Sequence, residues 1–189
     1  MIKPTVDDIR NKNEPTDHFL CLLKDNIYAL QFLEFTLSNP ETKEVFFTFT
    51  NDEVSDSEVT INDSDVSENI RQVINEARKI HYTFPSSLLS SKMASSYLKF
   101  KVGPNPVKNL LLIEKHYFKG ELLKSFEFTF PFCAPNSRNS WEFIYELPIL
   151  SEDRKKDAID CPEATTSDTF LFADGQLVIH NKAYYTYSP

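Results

Sequence analysis

Short runs of alternating apolar and polar residues recur along this chain, each stopped by turn residues, and they constrain the fold more than any other feature. In "KIHYTF", Ile80, Tyr82 and Phe84 oppose Lys79, His81 and Thr83, and Pro85 ends the run. "YLKFKV" (97–102) alternates as cleanly before "GPNP" turns the chain. A period of two sends successive side chains to opposite faces, which is a strand and not a helix. "NIYALQFLEFTL" (26–37), "EVFFTFT" (44–50), the hairpin around "IEKHYFKGELLKSFEF" (113–128) and "WEFIYELPIL" (141–150) add further strands. "DTFLFADGQLVIHN" reads as a hairpin whose two-residue turn is Asp174-Gly175. About nine short strands result, which predicts an all-β, antiparallel two-sheet sandwich rather than an α/β fold.

Helix is minor. Thr5 with Asp8 three residues on predicts a short capped helix within an N-terminal extension of about 1–16. Val66, Ile70, Val73, Ile74 and Ala77 predict one amphipathic helix over about 65–77, and "SEDRKKDAIDCP" a capped turn. The stretch 51–68 carries seven acids and no base, so it is expected to be a solvated loop. No repeat or second domain is visible, and 1–189 is expected to fold as one domain.

A formal charge of −8 argues against a nucleic-acid groove. No run is long and apolar enough to span a membrane, and "MIKPTVDDIR" lacks the apolar stretch of a secretion signal. Ile2 stands where self-myristoylation needs Gly. Cys21, Cys133 and Cys161 are odd in number and widely spaced, which reads as three reduced thiols in a cytosolic protein rather than a zinc site.

No phosphate loop, nucleophile elbow or H-E-x-x-H motif is present, and the four histidines have no metal-selecting spacing. What remains is Glu114 with His116, two residues apart and therefore on one strand face with Leu110, Leu112 and Phe118. Three readings fit the pair: a hydrogen-bonded structural pair, a general acid–base dyad, or contacts to a ligand. The alternating Phe126, Phe128, Phe130 and Phe132 likewise fit either plain core or the wall of an apolar slot.

"IEKHYF", "LLKSFEF", "FCAPNSRN", "EFIYELPILSE", "SDTFLF" and "LVIHNKAYYTYS", in this order, closely resemble the uncoordinated/retinal-protein-four family. That family is the myristoyl-binding branch of the phosphodiesterase-delta-like lipid chaperones, and the resemblance runs from about Asn26 to Ser188. It implies an immunoglobulin-like β-sandwich enclosing a lipid slot, with no cofactor, no metal and no enzymatic activity. Such carriers hold the N-myristoylated terminus of cargo, often G-protein α subunits or ciliary proteins, without themselves inserting stably in membranes. A GTP-bound Arf-like small GTPase releases the cargo, so a cytoplasmic location, ciliary or flagellar in part, is implied.

Carried over position by position, Phe35, Leu37, Ile80, Phe126 and Tyr185 would line the slot. Tyr82, Glu114 and His116 match polar positions near its entrance, with Glu114 accepting the amide N–H of the acylated glycine and Tyr82 and His116 donating to its carbonyl. Leu88, Leu147 and Leu171 fall where the family often has aromatics. The acidic 51–68 stretch is longer and more acidic than in relatives, which favours basic cargo N-termini. A prenyl-binding, delta-like carrier and a protein-binding sandwich adaptor without a cavity are the alternatives.

Overall fold

Nine strands form among the residues that the computed structural model describes, 3–51 and 66–188. They are β1 (Gln31–Ser38), β2 (Val45–Thr50), β3 (Lys79–Pro85), β4 (Met93–Lys101), β5 (Leu110–Phe118), β6 (Glu121–Phe130), β7 (Arg138–Glu146), β8 (Thr165–Ala173) and β9 (Gln176–Ser188). Three α-helices accompany them, α1 (Val6–Arg10), α2 (Glu68–Ala77) and α3 (Glu152–Asp160), with 3-10 turns at Leu23–Asp25 and Ser86–Ser90. One sheet has the order β2-β1-β4-β7 and the other β3-β9-β8-β5-β6, so the all-β sandwich read from the alternation is present. Most of the predicted acidic loop, 52–65, lies outside the described residues.

Two local departures from the expected strands have physical causes. The strand expected from residue 26 begins only at Gln31, because the Asn26 side chain accepts the Leu30 N–H at 2.9 Å and donates to the Leu30 carbonyl at 2.8 Å. That clasp folds 26–30 into a turn against Gly103, where an added Cβ would stand 2.8 Å from the Ala29 Cβ. The second departure is the β3–β9 pair, which is parallel. A hairpin would force antiparallel pairing, but β3 and β9 are far apart in sequence, so no tight turn dictates their direction. Elsewhere the local signals hold. Thr5 and Asp8 cap α1 reciprocally, and Asp174 and Gly175 take the positive φ values of 49° and 80° that their turn requires.

One end of the space between the sheets is packed solid by residues such as Leu30, Phe100, Leu110, Leu171 and Val178. At the other end Leu37, Phe84, Leu88, Phe118 and Tyr187 gather with Ala158 of α3. The β6–β7 edge is closed by an aromatic ladder: Phe126 on Tyr145 at 4.6 Å, Phe128 on Phe143 at 4.1 Å and Phe130 on Trp141 at 5.5 Å between ring centroids. This is where three of the four alternating phenylalanines go, into a seam between two sheets, while Phe132 is exposed.

The outer face of the five-stranded sheet is also covered. The N-terminal segment sets Ile9 and Cys21 against Leu111, Ile113, Phe170, Phe172 and Leu177, so β5 and β8 are buried on both sides. Buried Asp168 accepts the Thr16 N–H at 2.7 Å and the Lys182 ammonium at 2.8 Å, and Lys182 also donates to the Thr16 hydroxyl and carbonyl. The Arg78 guanidinium donates to the Cys21 carbonyl at 3.1 Å and lies 3.9 Å over the Phe19 ring. Burial alone would raise the Asp168 carboxyl, but the hydrogen bond from His180, the charge and hydrogen bond of Lys182 and the Thr16 N–H outweigh it and hold it at about 2.

His180 completes this latch. Its Nδ1 accepts the Leu20 N–H at 3.0 Å, so its proton is on Nε2, which faces Asp168 at 3.3 Å and Thr16 at 3.4 Å. Burial holds its pKa below the usual 6.5. The neutral ring is therefore favoured in the folded state, and the unfolded chain binds the proton first as pH falls. Stability should be at its plateau above 6.5 and decline as pH drops from there towards the lower folded-state value. Replacing His180 by Gln should flatten that decline, as denaturant midpoints taken across this pH range would show.

Candidate binding cavity

A cavity of about 510 Å³ lies between the sheets, lined by the residues gathered at the α3 end, within the range of small-ligand sites. The strand register makes its walls legible row by row. Glu114 of β5 pairs with Thr169 of β8, which pairs with Asn181 of β9. His116, Ser167, Ala183 and Ile80 form the next row, followed by Phe118, Thr165, Tyr185 and Tyr82. All of these side chains line the cavity. The first row is polar throughout, and the wall becomes more apolar towards α3, where Leu88, Leu147, Leu150 and Ala158 close it. The opposing sheet contributes Phe35, Leu37, Phe47, Leu98, Phe143 and Tyr145.

The polar row runs out to an edge of the sheet. β3 begins only at Lys79, opposite Lys182, so Asn181 has no strand beside it on that side. Across the gap stands Phe49 of β2, which lines the cavity yet is 45% exposed. The rest of that edge is drawn together by aromatics, with Phe47 edge-on to Tyr82 at 4.8 Å and to Phe84 at 5.9 Å.

Glu114 and His116 are hydrogen-bonded to each other, Oε1 to Nε2 at 3.0 Å, with side chains 20% and 16% exposed. The His116 ring packs edge-on against Phe126 at 5.5 Å. The Tyr185 hydroxyl donates to Ser167 at 2.8 Å, and the hydroxyls of Ser96 and Tyr145 pair at 3.0 Å. Burial, then the Glu114 carboxylate, raises the pKa of Tyr82 to about 12 and pushes Tyr145 and Tyr185 upward in the same way. These phenols thus stay protonated at neutral pH, as hydrogen-bond donors around one carboxylate.

Nine of the eleven residues expected at the slot are on this wall: Phe35, Leu37, Ile80, Tyr82, Leu88, Glu114, His116, Leu147 and Tyr185. Phe126 and Leu171 are not. Phe126 is used in the β6–β7 seam behind His116, and Leu171 lies in the packed end beyond Leu112. Thr169, Asn181 and the Ser96–Tyr145 pair were missed. Asn181 was within reach, since stepping back by two from Tyr185 passes Ala183 and arrives there. The Ser96–Tyr145 pair needed knowledge of which strands lie side by side in the second sheet.

Residues 24–187 match the family described as "GMP-PDE, delta subunit". The chain is similar to "Protein unc-119 homolog B" of Homo sapiens, 41% identical over 174 residues that cover 92% of this chain and 67% of that protein. It is 38% identical over 172 residues to "Protein unc-119" of Caenorhabditis elegans, covering 91% of this chain and 74% of the relative. Similarity to "Protein unc-119 homolog" of Drosophila melanogaster is 33% over 191 residues, covering 97% and 72%.

Proposed function

This chain belongs to the GMP-PDE delta-subunit family, and from that premise we propose that it carries N-myristoylated proteins, holding the acylated N-terminal glycine of its cargo in the cavity. The family is one of lipid-binding carriers, not enzymes. No described helix is long and apolar enough to cross a membrane. The observation that carries the finer reading is the placement of one wholly polar row, Glu114–Thr169–Asn181, at the edge of a cavity whose wall becomes more apolar towards α3.

Burying an acyl chain is worth roughly 0.8 kcal/mol per methylene, so a dozen offer a gross gain of about 10 kcal/mol. That term does not separate one chain from another, and discrimination falls to the polar row. The amide of an acylated glycine brings an N–H for Glu114 and a carbonyl for Tyr82 or His116. A prenyl thioether supplies neither, and so forgoes hydrogen bonds worth about 0.5–1.5 kcal/mol each, or about 1.5–3 kcal/mol to the charged carboxylate. On this reading the cargo is solubilised in transit, in the cytoplasm and at a cilium or flagellum. A GTP-loaded Arf-like GTPase then weakens its binding by the 5- to 150-fold of a typical allosteric coupling, roughly 1–3 kcal/mol.

Fluorescence anisotropy with labelled myristoyl-glycine, lauroyl-glycine and farnesyl-cysteine peptides tests the reading. Acyl-glycine peptides should bind selectively, and Glu114→Gln should weaken them about tenfold by removing a charge-assisted hydrogen bond while leaving farnesyl-cysteine unchanged. Preference for farnesyl would establish a delta-like prenyl carrier instead, and binding of no lipid would establish an adaptor.

A further inference from the structure

Free fatty acids carry the same chain as an acylated glycine, and differ from it only at the head. For equal chain length a fatty-acid carboxylate must come to the level at which the amide would sit, the row of Glu114, Thr169 and Asn181. That row holds a carboxylate and no cation. His116 is the nearest basic group, and its Nε2 is engaged by Glu114 at 3.0 Å.

The other basic side chains on the cavity wall do not serve the row. Arg154 is on α3, at the apolar end, and pairs with Glu121 at 2.7 Å. His81 pairs with Glu163 at 2.7 Å, turned towards solvent and 57% exposed. No lysine is among the described lining residues. A site made for fatty acids would place a guanidinium or ammonium where the head group arrives, and this one places the opposite charge there.

We propose that Glu114 acts as a charge filter, which keeps long-chain fatty-acid carboxylates out of a cavity that accepts the same chain as an amide. The inference rests on the acyl-carrier reading and extends it from what the row accepts to what it refuses. Like charges brought together at a part-buried site, where the Glu114 side chain is 20% exposed, repel more strongly than in bulk water. Sliding outward does not relieve the conflict, because each methylene withdrawn from the cavity costs about fourfold in affinity.

Calorimetric titration at neutral pH with N-methylmyristamide and with myristate, both below their aggregation thresholds, tests the filter. The wild-type protein should prefer the amide by at least about 100-fold. Glu114→Gln should strengthen myristate binding and bring the two ligands within about tenfold, and Glu114→Lys should reverse the order of preference. Tight amide binding with equally tight myristate binding would overturn the filter and leave the carrier reading standing. The same holds if myristate stays as weak in both variants as in the wild type. Failure to bind either ligand would overturn both.

Discussion

Replacing Ala183 by Phe is expected to lower acyl-glycine affinity by about 100-fold while the fold survives. Ala183 is 6% exposed, in β9 between Ile80 of β3 and Ser167 of β8, and its methyl faces the cavity one row in from the polar edge. An aromatic ring built there enters empty volume rather than packed core. The usual overpacking cost of about 1–3 kcal/mol is offset by the apolar contacts the ring gains, and the thermal midpoint should stay close to that of the wild type. Bound ligand would lose the space for about four methylenes, roughly 3 kcal/mol. Anisotropy with myristoyl-glycine peptide and a melting curve on the same sample separate the two effects. An unchanged affinity would mean that the acyl chain does not lie in this cavity.

The strands were legible because each carries its own period and its own stop. Pro85, Asp174-Gly175 and the Thr5–Asp8 box act on residues within a few positions of themselves, so a linear reading captures them. The inward parity of Glu114 and His116 was legible for the same reason, and the structure joins them by a hydrogen bond. What escaped was whatever depends on pairing between distant segments. Nothing in "SFEFTF" says that Phe126 will pack edge-on against Tyr145 in the other sheet, and so the residue expected on the slot wall closes a seam instead. The parallel β3–β9 pair escaped likewise, since no local turn encodes it. The N-terminal segment escaped most completely. Its burial depends on Lys115, Asp168, His180 and Lys182 facing outward from strands that lie more than a hundred residues on, where polar outward positions read as solvated.

Those outward residues set the largest expected effect on stability. Asp168→Ala should destabilise the protein by about 3–5 kcal/mol, the cost of leaving buried charge uncompensated. That is a large part of the ~5–15 kcal/mol that holds a typical domain folded. The substitution takes the acceptor from the Thr16 N–H and from Lys182, and removes the carboxylate that the His180 Nε2–H faces. At about 2–4 °C per kcal/mol for a chain of this size, the melting midpoint should fall by roughly 6–20 °C. Lys182→Met alone should cost less, because Asp168 keeps Thr16 and His180 as donors. The double substitution should cost less than the sum of the two, since no unpaired ammonium is left behind. Acyl-glycine affinity, measured well below the melting midpoint, should stay at the wild-type level. Ser167 and Thr169, on either side of Asp168, face the cavity and keep that direction as long as β8 remains paired. A loss below about 1 kcal/mol for Asp168→Ala, with additive effects in the double variant, would show that the apolar contacts of Ile9 and Cys21 hold the segment without the buried charges.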